Sequence, residues 1–368
     1  MKHPKRTRPL ALLLALLSIF ALVAAACGSS DDDTSTGSDD GATEEEGGTE
    51  EEGGTEEEGG GEDDSGGTED DSGGEAFRIA IVAPSAQNDL AFTQSMVDAI
   101  NALDGNVEVD ITDGTFVVED AAAAIRGYAE DGVDLVIAHG SQYGGPLEEI
   151  APDFPDTAFA WGTAVDTFDL DNVSAYTVRS DEGGYVNGVM AAQLNSSGVI
   201  GVVGPVEVGD AKLYVDGFKA GVGATDDAIE VNVNYIDSFS DVTLAAEAAT
   251  AHIAAGADIL TGTAQMVVGA TGVASDEGVL WFGTQANQTA LGEDIVVASQ
   301  VYHWQVVLQQ IIDAIDGGSL GGEVYTATLA NGGLVIEFND AYDLPADVRS
   351  AADDAIAGLT DGSMSTGL

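Results

Sequence analysis

From Phe77 onward, short and almost uninterrupted apolar runs alternate with Ala-rich stretches of helical character, and this rhythm leaves few folds open. Apolar runs fall at Phe77 to Ala83, Val107 to Ile111, Val133 to Ala138, Ala158 to Trp161 and Ser174 to Val178. A second series follows at Val199 to Val203, Val231 to Ile236, Asp258 to Leu260, Val279 to Phe282 and Ile295 to Ala298. Between them, Asp89 to Ala102, Glu119 to Glu130, Gly183 to Leu194, Ala211 to Val222, Thr243 to Ala254 and Gln305 to Ile315 read as helices. A strand without polar alternation is buried on both faces, which calls for a parallel sheet covered by helices on either side. Residues 76–368 are many for one core and natural for two. The pattern predicts an α/β chain with two doubly wound lobes.

In such sheets ligands bind beyond the carboxyl ends of the strands, so the loops there hold the candidate site. They are rich in amides, hydroxyls, carboxylates and flat rings. The candidates are Asn88, Asp89 and Phe92 after the first strand, His139 and Gln142 after the third, and Trp161 at the end of the fourth. The second half contributes Phe239, Asp241, Gln285, Asn287 and Trp304. Rings with polar groups between them suit a planar, hydrogen-bonding small molecule. Each candidate also has a structural alternative. Asp89 and Asp241 precede helices and are N-cap candidates; Trp161 and Trp304 would serve equally as packing residues.

Charge narrows the partners. Of 65 acidic residues, 21 lie in residues 28–75, leaving 44 against six basic ones in residues 76–368, a formal charge of −38. Such a field repels polyanions and excludes nucleic acid as a partner. With few arginines and lysines to hold a phosphate or carboxylate, a neutral or cationic ligand is expected.

The N-terminal residues supply an address. Lys2, Lys5, Arg6 and Arg8 precede the apolar run Leu10 to Val23, and Ala24, Ala25 and Ala26 lead to Cys27, the sole cysteine. Residues 1–27 resemble a bacterial lipoprotein signal, with Val23 to Cys27 as its lipobox; the resemblance implies lipid attachment at the Cys27 sulfur. Residues 28–75 repeat Thr-Glu-Glu-Glu-Gly-Gly at Thr43, Thr49 and Thr55. An acidic, Gly-rich segment with almost nothing apolar is expected to stay disordered as a flexible linker spanning roughly 40 Å. The expected location is the cell membrane, lipid-anchored and facing the extracytoplasmic side.

Several stretches together resemble the basic membrane protein family of ABC-transporter substrate-binding lipoproteins. They are Asn88 to Ser95, Asp181 to Gly188, Val199 to Gly204 and Asp216 to Gly221. The resemblance implies a type I periplasmic-binding-protein fold, two lobes joined by a hinge. Lobe 1 is expected at 76–178 plus about 287–314, and lobe 2 at about 179–286 plus 315–368. It implies capture of a purine base, nucleoside or similar neutral heterocycle, an ABC permease as membrane partner, and no cofactor. It also implies base contacts for Asn88, Asp89 and Phe92 and a stacking role for Phe239. Gln285 stands where an aspartate grips ribose in the nucleoside-binding members. Tyr302 stands where they carry a lysine, which favours a ligand without the ribose grip. The alternative is the same module acting as a sensor for another small solute. No nucleophile elbow, P-loop or His-Glu-x-x-His occurs, and His3, His139, His252 and His303 lack metal-ligand spacing, so neither catalysis nor a metal is expected.

Overall fold

The computed structural model describes residues 76–368. The expected signal with Cys27 and the linker at 28–75 lie outside the described residues.

The first half runs β1 (Phe77–Val82), α1 (Phe92–Asn101), β2 (Val107–Thr112), α2 (Val118–Glu130), β3 (Leu135–Ala138), α3 (Gly144–Ile150), β4 (Ala158–Gly162) and β5 (Val173–Val178). The second runs α4 (Ser180–Leu194), β6 (Val199–Gly204), α5 (Gly209–Thr225), β7 (Glu230–Tyr235), α6 (Val242–Ala254), β8 (Ile259–Gly262), α7 (Val267–Glu277), β9 (Leu280–Gln285) and β10 (Val296–Tyr302). The chain ends in α8 (Gln305–Asp316), β11 (Val324–Ala327), β12 (Leu334–Phe338) and α9 (Ala346–Thr360). Two six-stranded sheets result, with orders β11-β5-β4-β3-β1-β2 and β12-β10-β9-β8-β6-β7. All pairings are parallel except β10 with β12. The central strands are buried at nearly every position, as the unbroken apolar runs require.

The pairing departs from the expected lobe bounds in two places. Val296–Tyr302, expected in lobe 1 within 287–314, lies in the second sheet. Every residue of β10 is buried, so the strand needs a partner on each side, and β9 and β12 provide them. Val324–Ala327, expected in lobe 2, instead closes the first sheet against β5. The chain therefore crosses between sheets after β5, after β10 and after β11.

Outer clusters fill the faces under α2 and α3 in one lobe and under α6 and α7 in the other. A third cluster carries α1, α4, α5, α8 and α9. Helices α4 and α5 approach unusually closely. A Cβ at Gly184 would lie 2.4 Å from the Tyr214 carbonyl oxygen, and one at Gly188 would lie 2.2 Å from that of Phe218. Reciprocally, Gly217 and Gly221 face the backbones of Asp181 and Tyr185 at 2.2 and 2.1 Å. Only glycine permits this contact. Asp181, at the start of α4, is fully buried between a bidentate Arg179 guanidinium and the Thr366 hydroxyl.

Candidate functional site

In both sheets the strand order reverses beside the first strand of the lobe, between β1 and β3 and between β6 and β8. A crevice opens at such a reversal, beyond the carboxyl ends of the strands. Here the two crevices face each other and form one cleft, with about 540 Å³ of unfilled space counted to its solvent-open mouth. One lobe lines it through loops after β1, β2, β3 and β4, including Phe92, Phe116, Gln142 and Thr163. The other lines it through loops after β6, β7, β8 and β9, including Asp210, Phe239, Gln265 and Gln285.

Backbone strain gathers at the same rim. Leu90, Thr163, Asp237, Ala264 and Gln285 hold positive φ angles of 54°, 54°, 57°, 75° and 71°. Left-handed backbone costs non-glycine residues about 1–3 kcal/mol and concentrates at ligand clamps. The Gln285 side-chain oxygen is buried without a partner, as are those of Thr263 after β8 and Gln300 in β10. Unmet buried acceptors are rare, and that of Gln285 is the one that lines the cleft. The lobes also meet across the cleft: Gln265 Nε2 donates to Ser85 Oγ at 3.1 Å, and Gln288 Nε2 to the Leu90 carbonyl at 3.2 Å.

Four of the expected contact residues, Phe92, Gln142, Phe239 and Gln285, line the cleft together. The others lie elsewhere. Asn88 is exposed on its loop. The Asp89 carboxylate is engaged by its own loop: it accepts from the Ser85 hydroxyl and from the amides of Ala91, Thr93 and Gln94. It thereby fixes the turn that presents Phe92 and Ser85. Asp241 caps α6 through the amides of Thr243 and Leu244. Asn287 donates to Glu337 and caps the Thr289 amide. Trp161 stacks on Phe168 and donates to the Gly140 carbonyl.

His139 and Trp304 form the layer behind the cleft. His139 is fully buried and stacks under Phe92, with ring centres 3.9 Å apart and planes within 7°. Its Nε2 donates to the Phe92 carbonyl at 3.2 Å, which leaves Nδ1 to accept from the Tyr176 hydroxyl at 2.7 Å. Burial pushes its pKa down to about 3, so the ring stays neutral. Trp304 is also fully buried, packs edge-on against Tyr176 and Tyr302, and donates to Ser95 Oγ at 2.9 Å. It sits at the crossing after β10. An aromatic column thus runs from Phe92 in the cleft to Trp304 at the hinge.

Asp210 was not among the sequence candidates, although the carboxyl-end rule applied to β6 leads directly to its loop. It occupies the first turn of α5, half-buried, with burial pushing its carboxyl up to about 6. Among the described residues no group of three or more His, Cys, Asp or Glu is placed to hold a metal.

The family profile described as ABC transporter substrate-binding protein PnrA-like matches residues 76–356. A purine-binding protein of Brucella abortus is 26% identical over 294 residues, covering 79% of this chain and 83% of that one. An ABC transporter nucleoside-binding protein of Lactococcus lactis is 27% identical over 215 residues, covering 53% of this chain and 60% of that one. The solved structure of an ABC-transporter solute-binding protein from Conexibacter woesei superposes with a TM-score of 0.66 at 25% identity, covering 79% of this chain and 98% of that one. This chain belongs to the PnrA-like (Bmp) family of ABC transporter substrate-binding proteins.

Proposed function

We propose that the protein captures a planar heterocycle of the purine class by closing its lobes around it and delivers it to an ABC permease. One observation carries the reading: the cleft takes an aromatic ring from each lobe, Phe92 and Phe239, and surrounds them with amide and hydroxyl groups. Rings supply stacking area, and polar groups read the edges of a flat ligand. The purine- and nucleoside-binding relatives support the same class. Gln285 supports a free base over a nucleoside, because an amide there replaces the carboxylate that would grip ribose. Tyr302 agrees: its ring is buried against Trp304, so the position offers no cation to the cleft.

Closure follows from contacts that exist only when both lobes touch the ligand, which shifts the population toward the shut form. In this reading Cys27 carries a lipid on the extracytoplasmic side. The acidic segment at 28–75 then acts as a tether that raises the receptor's effective concentration at the permease. Mass spectrometry of small molecules released on denaturing the purified protein tests the ligand class. A purine or close heterocycle is expected; a sugar or amino acid at one-to-one occupancy would refute it.

A further inference from the structure

We propose that Asp210 determines specificity within this cleft, selecting a ligand that presents a positive charge over a neutral one of the same shape. The inference rests on the heterocycle reading above and narrows it.

Among the described residues Asp210 is the only ionisable side chain lining the cleft. It accepts from its own amide and that of Ala211 at the start of α5, and its one side-chain partner is weak, the Tyr302 hydroxyl at 3.5 Å. Burial holds that phenol protonated, so it stays a donor. Among the described residues no ion pair involves Asp210, and the nearby cations are committed elsewhere. Lys212 contacts Asp216 at 2.7 Å and Glu207 at 3.2 Å, and Arg179 grips Asp181. On the opposite wall Phe92, Phe116, Ser141, Gln142 and Thr163 carry no charge, and His139 behind them is neutral. Tyr214, on the same helix, is likewise held protonated by burial. A carboxylate facing apolar rings without a counter-ion is costly, and a cationic ligand would remove that cost. A second observation points the same way: the unpartnered oxygen of Gln285, on the same cleft, is another acceptor awaiting a donor. Among the described residues no arginine or lysine lines the space to favour an anion.

The test is calorimetric titration of the full chain and of Asp210→Asn with 1,9-dimethyladenine and benzamidine, both cationic, and with neutral 9-methyladenine. Titrations run at about pH 5 and about pH 7.5, either side of the Asp210 midpoint. The expected result at the higher pH is that the dimethylated cation binds at least about tenfold more tightly than 9-methyladenine, the worth of one charge-assisted hydrogen bond. That preference should shrink at the lower pH, where Asp210 is protonated. Asp210→Asn should abolish it, weakening the cation at least about tenfold more than 9-methyladenine. Equal affinity for cation and neutral analogue at the higher pH, or an Asn variant that binds the cations unchanged, overturns the proposal. If neither adenine derivative binds, the purine reading fails by itself. Benzamidine then decides the charge reading: an Asp210-dependent complex supports it, and absence of any complex overturns it.

Discussion

Asp210 and His139 respond to acid in opposite senses. Burial raises Asp210 from its ordinary 3.8 to about 6, so the folded chain holds that proton more tightly than the unfolded chain does. Its charged form therefore penalises the fold above about pH 6, and the penalty is relieved as pH falls toward 4. Burial lowers His139 from 6.5 to about 3, so only the unfolded chain takes up that proton in between, and stability is lost as pH falls below 6.5. Asp210→Asn should accordingly stabilise the ligand-free protein near pH 7, by up to ~1–3 kcal/mol after allowance for its partial exposure. Thermal unfolding should show the gain near pH 7 and its disappearance near pH 4. The aromatics separate just as cleanly. Phe239 is half-buried in a cleft loop, so Phe239→Ala should weaken ligand binding by ~1–3 kcal/mol and leave the melting temperature nearly unchanged. Trp304→Ala should cost the fold ~3–5 kcal/mol, because it empties a fully buried site. Sequence marks both rings as loop aromatics beside strand ends. Only the chain crossing after β10 turns Trp304 inward, and that crossing depends on β11 pairing with β5, where Val324 meets Ala175, 149 residues earlier. Asp89 and Asp241 illustrate the same limit: an aspartate before a helix suits a ligand and a cap equally well, and the backbone amides that decide the matter are invisible in one dimension.

Among the elements, the α4–α5 crossing makes the firmest demand on sequence. The glycines at 184 and 188 and at 217 and 221 are spaced one helical turn apart, so each pair forms a notch on one face. They belong to the stretches that resemble the family, and the structure supplies the physical reason for them. Gly188→Ala and Gly221→Ala should each destabilise the protein by ~1–3 kcal/mol or more, because the new methyl meets rigid backbone rather than a mobile side chain. Gly223→Ala, on the same helix with nothing within 4 Å, should instead stabilise it by ~0.5–1 kcal/mol. Denaturant titration of the three variants reads the contrast directly. Most strands and most of the longer helices are legible from period and propensity, but the 15-residue α9 is not among those expected. α7 is not legible either, because its Val-Val-Gly-Ala-Thr-Gly run carries two glycines and β-branched residues that weaken a helical reading. β11 and β12 are not, because each is a short edge strand that is only partly buried, and the partner of β11 lies 149 residues earlier in sequence, at Val324 and Ala175.

At the scale of the whole molecule, two sheets of matching order face each other and are joined by three crossings, so a small change at the hinge moves both walls of the cleft. The aromatic column from Phe92 through His139 and Tyr176 to Trp304 links the cleft to the second crossing. The Gln265–Ser85 contact bridges the lobes at the cleft itself. The doubled fold and the position of the cleft follow from the strand–helix rhythm and the carboxyl-end rule. The lobe bounds do not, because β10 has the burial pattern of any central strand and nothing local says which sheet it joins. The central claim is that this closing cleft takes a purine-like base. Calorimetric titration of the full chain with adenine, guanine, hypoxanthine, their nucleosides and glucose tests it most directly. At least one free base should bind one-to-one with Kd below about 100 μM and no more weakly than its nucleoside. Failure of every purine and nucleoside to bind, or tight binding of glucose in their place, would contradict the account.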